Sequence, residues 1–225
     1  MPQKSIPVFY TERMVANNYG GISPSSYKPR EVVESWTLEN DFPIQIVEPK
    51  PATLDQLCLA HDPDYVHGVL SMRRQNGFGN MIQEVADSLP YTSGSMLSAA
   101  RHVLKYGGVA CSPTSGFHHA CYDHGGGFCT FNGLMVTALA LYEEGLVQRV
   151  GILDCDYHYG NGTDDIILKL GIDWVRNITN SKGYIGEAAM FMDILPMLVQ
   201  QMADFDLILY QAGADAHMDD PLGKR

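Results

Sequence analysis

Asp154, Asp156 and His158 stand at every second position, directly after the apolar run Val150-Gly151-Ile152-Leu153. Val150, Ile152 and Leu153 read as a short strand buried on both faces, as in a parallel sheet. If the backbone stays extended, this parity sends all three side chains to one side. Two carboxylates and an imidazole at the carboxyl end of a buried strand lie where an open α/β sheet places a ligand. Gly160, Asn161 and Gly162 form the turn, and Thr163 can cap a helix whose first turn holds Asp164 and Asp165. A second apolar run, Phe205 to Tyr210, ends in another acidic turn, Gln211-Ala212-Gly213-Ala214-Asp215. Asp156, His158 and Asp215 then supply three N and O ligands with a fourth place for water, the pattern of a catalytic zinc site. The same donors tolerate iron or cobalt. Asp154 would orient a neighbour by a hydrogen bond. A polar surface loop before a helix is the plainer reading of these residues.

His118 and His119 form the second cluster, inside Ser115-Gly116-Phe117-His118-His119-Ala120 and ahead of Gly125-Gly126-Gly127-Phe128-Cys129. It follows a brief expected strand, Val109 to Cys111, so it can face the same crevice. Side chains of neighbours diverge, so the two histidines cannot both be simple core residues; a surface pair is the alternative. An imidazole pair in a Gly-rich loop suits proton transfer beside a metal-bound water. The glycines let backbone approach a ligand closely, and Phe128 offers an apolar wall. His61 reads as a contact at the start of a helix, and His67 and His102 as surface or packing residues. His124 and His217 lie near the site with no role assigned by spacing.

The elements that must carry these clusters alternate between strand and helix. Strands are expected at Pro7–Tyr10, Ile44–Val47, Val109–Cys111, Val150–Leu153, Trp174–Ile178 and Phe205–Tyr210. Helices are expected at Glu31–Leu38, from Thr53, from Asp62-Pro63 to about Arg73, and at Ser93–Tyr106. Others follow at Asn132–Glu144, from Thr163 to about Leu170, and at Glu187–Ala203 with Pro196 restarting it. This alternation predicts an α/β fold with a mainly parallel, helix-covered sheet. No repeat, linker or low-complexity segment interrupts residues 1–225, which read as one domain. Asn17 to Pro29 is long for a loop in a compact domain and suggests a functional rim.

The charge balance, 15 Lys+Arg against 26 Asp+Glu, gives −11. That opposes a phosphate backbone and argues against direct nucleic-acid binding; it favours a cationic substrate by weak long-range attraction. The five cysteines are an odd number without a Cys-x-x-Cys pair, so they read as buried free thiols of a reducing compartment. No apolar run resembles a signal peptide or a membrane span, and a cytoplasmic location is expected.

The chain resembles the zinc-dependent histone deacetylase family, including bacterial members acting on acetylpolyamines or acetyllysine. The resemblance rests on Gly116-Phe117-His118-His119-Ala120, on Gly127-Phe128-Cys129-x-x-Asn132, and on Asp154-x-Asp156-x-His158-x-Gly160-Asn161-Gly162-Thr163. Gly213-x-Asp215-Ala216 with Asp220-Pro221-Leu222-Gly223 completes it, and a weaker match runs from Pro51 through His61 and Tyr65. It implies a three-layer, arginase/deacetylase-like fold and one zinc ion held by Asp156, His158 and Asp215. It implies His119 as general base and then acid, partnered by Asn161, with His118 polarised against Asp154. The Gly127 carbonyl would accept the substrate amide N–H, and Phe128 would line the acyl-lysine tunnel. A potassium ion is implied near Asp154, Asp156 and His158, with a further contact around Thr179.

Two departures stand out. Tyr159 occupies a position where the family usually has a second His. No Gly-Gly-Tyr turn follows Asp215, so the family's catalytic Tyr is expected to be absent and the domain C-terminally incomplete. An incomplete sheet predicts a homo-oligomer or a complementing chain. Two rival readings remain. A binuclear arginase-type hydrolase needs an Asp where Gly160 stands. A non-catalytic relative would bind zinc or an acyl ligand without turnover.

Overall fold

A computed structural model of the protein describes residues 5–18, 24–39, 43–179 and 188–215, together with 217 and 219. Strand β1 (Ile6–Phe9) pairs in parallel with β2 (Ile44–Val47), Ile6 opposite Ile44. Strand β3 (Val150–Asp154) lies between β4 (Val175–Ile178) and β5 (Leu207–Gln211), parallel to both. All of β3 is buried, as a parallel strand covered by helices on both faces requires. The expected strand at Val109–Cys111 shortens to a parallel bridge between Cys111 and Val8. Phe9 N–H donates to the Cys111 carbonyl and Cys111 N–H to Pro7, both at 2.8 Å.

The helices are α1 (Lys28–Glu39), α2 (Leu54–Ala60), α3 (Pro63–Leu70), α4 (Gln83–Tyr106), α5 (Gly133–Glu143), α6 (Asn161–Leu170) and α7 (Ala188–Gln200). Local signals set several ends. Thr53 and Gln56 form a reciprocal capping box at α2, and Asp62 accepts from Asp64 N–H and Tyr65 N–H ahead of Pro63 in α3. Asn132 caps α5 by accepting from Met135 N–H. Helix α5 is apolar almost all round and largely buried. With Leu57, Tyr65, Leu97, Phe117 and Ile166 it forms the core against which β3 packs.

Other ends differ from expectation. Helix α4 begins at Gln83 rather than Ser93 and contains Pro90. A proline interior costs a helix bond, but Val85, Ala86 and Leu89 before it and Leu97 after it are all buried, so packing decides. Helix α3 stops at Leu70, short of Arg73, where Met72 turns to φ 57° and Arg73 N–H bonds back to Gly68 at 2.7 Å. Helix α1 starts at Lys28, three residues earlier than expected, and α7 carries Pro196 inside it. Helix α6 starts at Asn161 with Gly160 at the N-cap. Thr163 is therefore not the cap; it is fully buried and its hydroxyl accepts from Asn132 Nδ2 at 3.1 Å. Part of the Asn17–Pro29 loop, Glu187, and the Ala216 and Asp220–Gly223 portions of the last motif lie outside the described residues.

Among the described residues β5 pairs only with β3, and Ile208 and Tyr210 on it are 43% and 57% exposed. The five cysteines are free. No described helix is long and apolar enough to cross a membrane.

Candidate active site

The backbone does not stay extended past Asp154. It folds into two successive turns in which a carboxylate accepts the N–H two residues on: Asp156 N–H to Asp154 Oδ1 at 3.2 Å, then His158 N–H to Asp156 Oδ1 at 2.8 Å. Aspartate favours this local bond. The turns, rather than strand parity, aim the side chains, and they separate Asp154 from the other two. Asp154 is turned inward, 3% exposed. Asp156 and His158 meet Asp215, which arrives from the end of β5; the ligand atoms of the three all lie within 4.8 Å of one another. His158 Nδ1 is 2.7 Å from Asp215 Oδ2 and 3.3 Å from Asp156 Oδ1. Asp215 Oδ1 also accepts Tyr157 N–H at 2.9 Å, pinning the β5 turn to the β3 turn. Gly213 is required for this approach, since a Cβ there would fall 2.4 Å from Asp156 Oδ2.

The two histidines do not diverge. Their rings lie 4.0 Å apart, side by side in a turn. His118 is buried and donates from Nδ1 to Asp154 Oδ2 at 2.8 Å, with Nε2 3.6 Å from Asp156 Oδ1. His119 donates from Nδ1 to Asn161 Oδ1 at 2.6 Å, and its ring lies 6.0 Å from that of His158. Burial opposes charge on His118, but the hydrogen bond and charge of Asp154, aided by Asp156 and Asp215, hold its pKa above the ordinary range. Burial and the neighbouring His118 hold His119 below it. Thr179 donates to Asp154 Oδ2 at 3.1 Å and accepts Gly160 N–H at 2.9 Å. Tyr159 points away from the pair, donating to Asp164 at 2.5 Å; that bond, with burial, pushes its pKa up to about 12.

Behind the pair stands a strut that the sequence reading understated. His61 is fully buried at the C-terminal end of α2. Its Nδ1 bonds the Cys121 carbonyl at 2.9 Å and its Nε2 accepts Asn132 N–H at 2.8 Å. It ties the loop after His119 to the start of α5. Burial pushes its pKa from 6.5 down to about 4, only partly offset by the backbone carbonyls. A depressed His pKa means the unfolded chain takes up the proton first. The stability is present above pH 6.5 and lost as pH falls toward about 4. Over that span the loss is about 3 kcal/mol. The denaturation midpoint should fall between these pH values in the native protein, and the slope should flatten in His61→Gln. An unchanged slope in the variant would show that His61 does not titrate on unfolding.

Gly127 takes φ 53°, and a Cβ on it would sit 2.5 Å from His119 Cδ2, so the Gly-rich loop lies directly against the proton-transfer candidate. Phe128 follows, itself at φ 64°. Its ring faces Phe78 at 5.7 Å. Phe78 went unmarked in the sequence; its only signal was the loop Gln75–Asn80. That loop is fixed by Gly77 N–H to Thr130 Oγ1 at 2.9 Å and by Phe128 N–H to the Gly77 carbonyl at 3.1 Å. His124 is exposed and paired with Asp123, and His67 is exposed, while His102 packs edge-on to Phe9.

Residues 27–171, more than half of the chain, match the family described as the histone deacetylase domain. The chain belongs to the histone deacetylase family. This deacetylase-family chain is 29% identical over 213 residues to an uncharacterized protein of Picosynechococcus sp., covering 81% of this chain and 68% of that protein. It is 34% identical over 137 residues to the acetoin utilization protein AcuC of Staphylococcus aureus, covering 54% of this chain. It spans only 34% of the AcuC length. Two solved structures share its fold. The HD domain of HDA15 aligns with a TM-score of 0.77 at 18% identity, covering 98% of this chain and 76% of that one. The acetylpolyamine aminohydrolase of Burkholderia pseudomallei aligns with a TM-score of 0.74 at 16% identity, covering 97% and 85%. The fold is thus the arginase/deacetylase α/β fold, and the family is one of hydrolytic, generally metal-dependent deacetylases.

Proposed function

We propose that this chain is a single-domain, zinc-dependent amidohydrolase that removes acetyl groups from acetyllysine or acetylpolyamines. The observation that carries the reading is the meeting of Asp156, His158 and Asp215 beside two imidazoles with different partners. The donor set suits zinc. Two carboxylates converge on one imidazole, and among the described residues no Lys or Arg forms an ion pair with either. Clustered carboxylates of this kind call for a cation, and N and O donors suit zinc. Bound there, zinc would supply Lewis acidity, polarising an amide carbonyl and lowering the pKa of water.

The protein's own groups would do the rest. His119 is held neutral, and with Nδ1–H given to Asn161 its Nε2 is free to take a proton from water and return it to the leaving amine. His118, biased toward its charged form by Asp154, would stabilise negative charge developing nearby. The Gly127 carbonyl would accept the amide N–H, and the Phe128 and Phe78 rings would flank the methylene chain. The potassium ion is part of the proposal: the Asp154 carboxylate accepts three hydrogen bonds, leaving one of its roughly four acceptor positions. A binuclear site fits poorly. Gly160 offers no ligand, and even a Cβ there would fall 2.5 Å from Asp154 Oδ2. The acidic net charge suits an amine, and the free thiols suit a cytoplasmic location. The edge of β5 that carries no partner strand among the described residues supports a second copy or a complementing chain beside it.

The test is turnover on acetyllysine peptides and acetylpolyamines, with zinc counted by elemental analysis. We expect one zinc per chain, hydrolysis that stops on chelation, and a KM raised about ten-fold by Phe78→Ala, roughly the burial of a few methylenes. One bound zinc with no turnover on either substrate class would mark a binding protein and overturn the enzymatic reading.

A further inference from the structure

Asn161 has a carboxamide, and either end of it can face His119. The two orientations have opposite consequences. With Oδ1 toward His119, the ring carries its proton on Nδ1 and keeps a lone pair on Nε2. With Nδ2 toward His119, the ring must accept on Nδ1 and hold its proton on Nε2. Only the first leaves a base on Nε2. An aspartate has no such ambiguity; an asparagine needs something to hold it.

Cys121 is placed to do so. Asn161 Nδ2 donates to Cys121 Sγ at 3.6 Å, and the thiol in turn donates to the His119 carbonyl at 3.8 Å. These bonds are weak singly, but they agree in direction. In the observed orientation three donors find acceptors: His119 Nδ1–H on Asn161, Asn161 N–H on sulfur, and S–H on the His119 carbonyl. Turning the amide over leaves two, because the thiol must then donate to Asn161 Oδ1 and abandon the carbonyl. The side chain is also kept as a thiol. It is 5% exposed, and burial, with Asp165 and Asp123 nearby, pushes its pKa up to about 11. A thiolate could not donate to the carbonyl and would lose the arrangement.

We infer that Cys121 is a positioning residue that fixes the Asn161 amide and, through it, the tautomer of His119. The inference rests on the reading of His119 as the base only for its effect on rate; the coupling itself is a property of these three side chains. Among the described residues the Cys121 thiol bonds Asn161 and the His119 carbonyl, not Asp156, His158 or Asp215, so its removal should alter which nitrogen of His119 holds the proton rather than dismantle the site.

The experiment is two-bond proton–nitrogen correlation spectroscopy on the full chain with 15N-labelled histidine. It is run metal-free at about pH 9, above the ordinary imidazole range. In the native protein His119 should be the Nδ1–H form. In Cys121→Ala, and in Cys121→Val, which fills the space without an acceptor, the Nε2–H form should become the larger fraction. In Cys121→Ala combined with Asn161→Asp, the Nδ1–H form should return, because a carboxylate can only accept. On turnover, Cys121→Ala should lower kcat about ten-fold with KM unchanged, and the double variant should recover most of it. Retention of the Nδ1–H form in both single variants overturns the inference. So does failure of Asn161→Asp to restore it, which would mean that a displaced loop, not a turned amide, caused the change. If the native chain shows no turnover at all, the spectra still decide the coupling, and only the assignment of His119 as base falls.

Discussion

Asp156→Asn is expected to weaken zinc binding by about a hundred-fold or more and to reduce hydrolysis by at least as much, while the chain stays folded. The size follows from how much converges on this one carboxylate. Its Oδ1 accepts the His158 N–H at 2.8 Å and lies 3.3 Å from His158 Nδ1 and 3.6 Å from His118 Nε2. The amide of asparagine can keep the turn to His158 N–H through its oxygen. It loses the negative charge and one of its two oxygen donors. One of the two carboxylates of the proposed zinc site is then gone, and His118 loses part of the field that raises its pKa. Asp156→Ala should lose metal more completely and also loosen the turn, so the asparagine variant separates charge from scaffold. Zinc titration calorimetry with elemental analysis reads the affinity, and circular dichroism reads the fold. If Asp156→Asn binds one zinc as tightly as the native chain, the assignment of this carboxylate as a ligand is wrong.

Much of the fold could be read from pattern because β3 and β5 are short apolar runs closed by acidic turns, and from β3 to β5 strands and helices alternate. What pattern missed is where tertiary contacts overrule local rules. The helix expected from Ser93 begins ten residues earlier, at Gln83, because buried residues on either side of Pro90 carry α4 across it. Cys111 pairs with β1, but its neighbours do not, so a strand was expected where only a bridge exists. In the candidate site, residue types and spacing brought Asp154, Asp156 and His158 into one group. Asp154 was already set apart as a hydrogen-bonding neighbour of the ligands; what spacing could not give is the pair of carboxylate-to-N–H turns that turns Asp154 toward His118 and Asp156 toward Asp215. Phe78 left no trace, and His61 showed only as a contact at a helix start and as part of the weaker N-terminal match. An aromatic in a Gly/Asn loop has no periodicity, and a histidine that bonds only to backbone groups of distant loops has no sequence partner to betray it.

His119→Ala is expected to lower kcat about a thousand-fold, within the usual range for loss of a general base, and His118→Ala by far less, about ten-fold. The two rings are adjacent in sequence and 4.0 Å apart, so proximity cannot distinguish them; their partners do. A carboxylate behind His118 stabilises its charged form, while the neutral amide behind His119 leaves burial and the charge on His118 to favour the neutral form. The two environments thus bias the pair in opposite directions, His118 toward its cation and His119 toward a neutral base. A bound dication would offset the pull of Asp156 and Asp215 on His118, but Asp154, on the far side of the ring at 2.8 Å, keeps its effect. The sign of the pH dependence follows. Activity should rise with pH as His119 loses its proton, below the ordinary imidazole range, and fall as His118 loses its own, above it. His118→Ala should therefore abolish or shift the alkaline limb of the kcat/KM profile and leave the acid limb in place. His119→Ala should remove the acid limb along with most of the rate. Asp154→Asn, which withdraws the charge without removing the ring, should move the alkaline limb down in pH and leave the acid limb close to where it was. Equal and small losses in the two alanine variants, with both limbs intact, would mean that neither imidazole moves the proton.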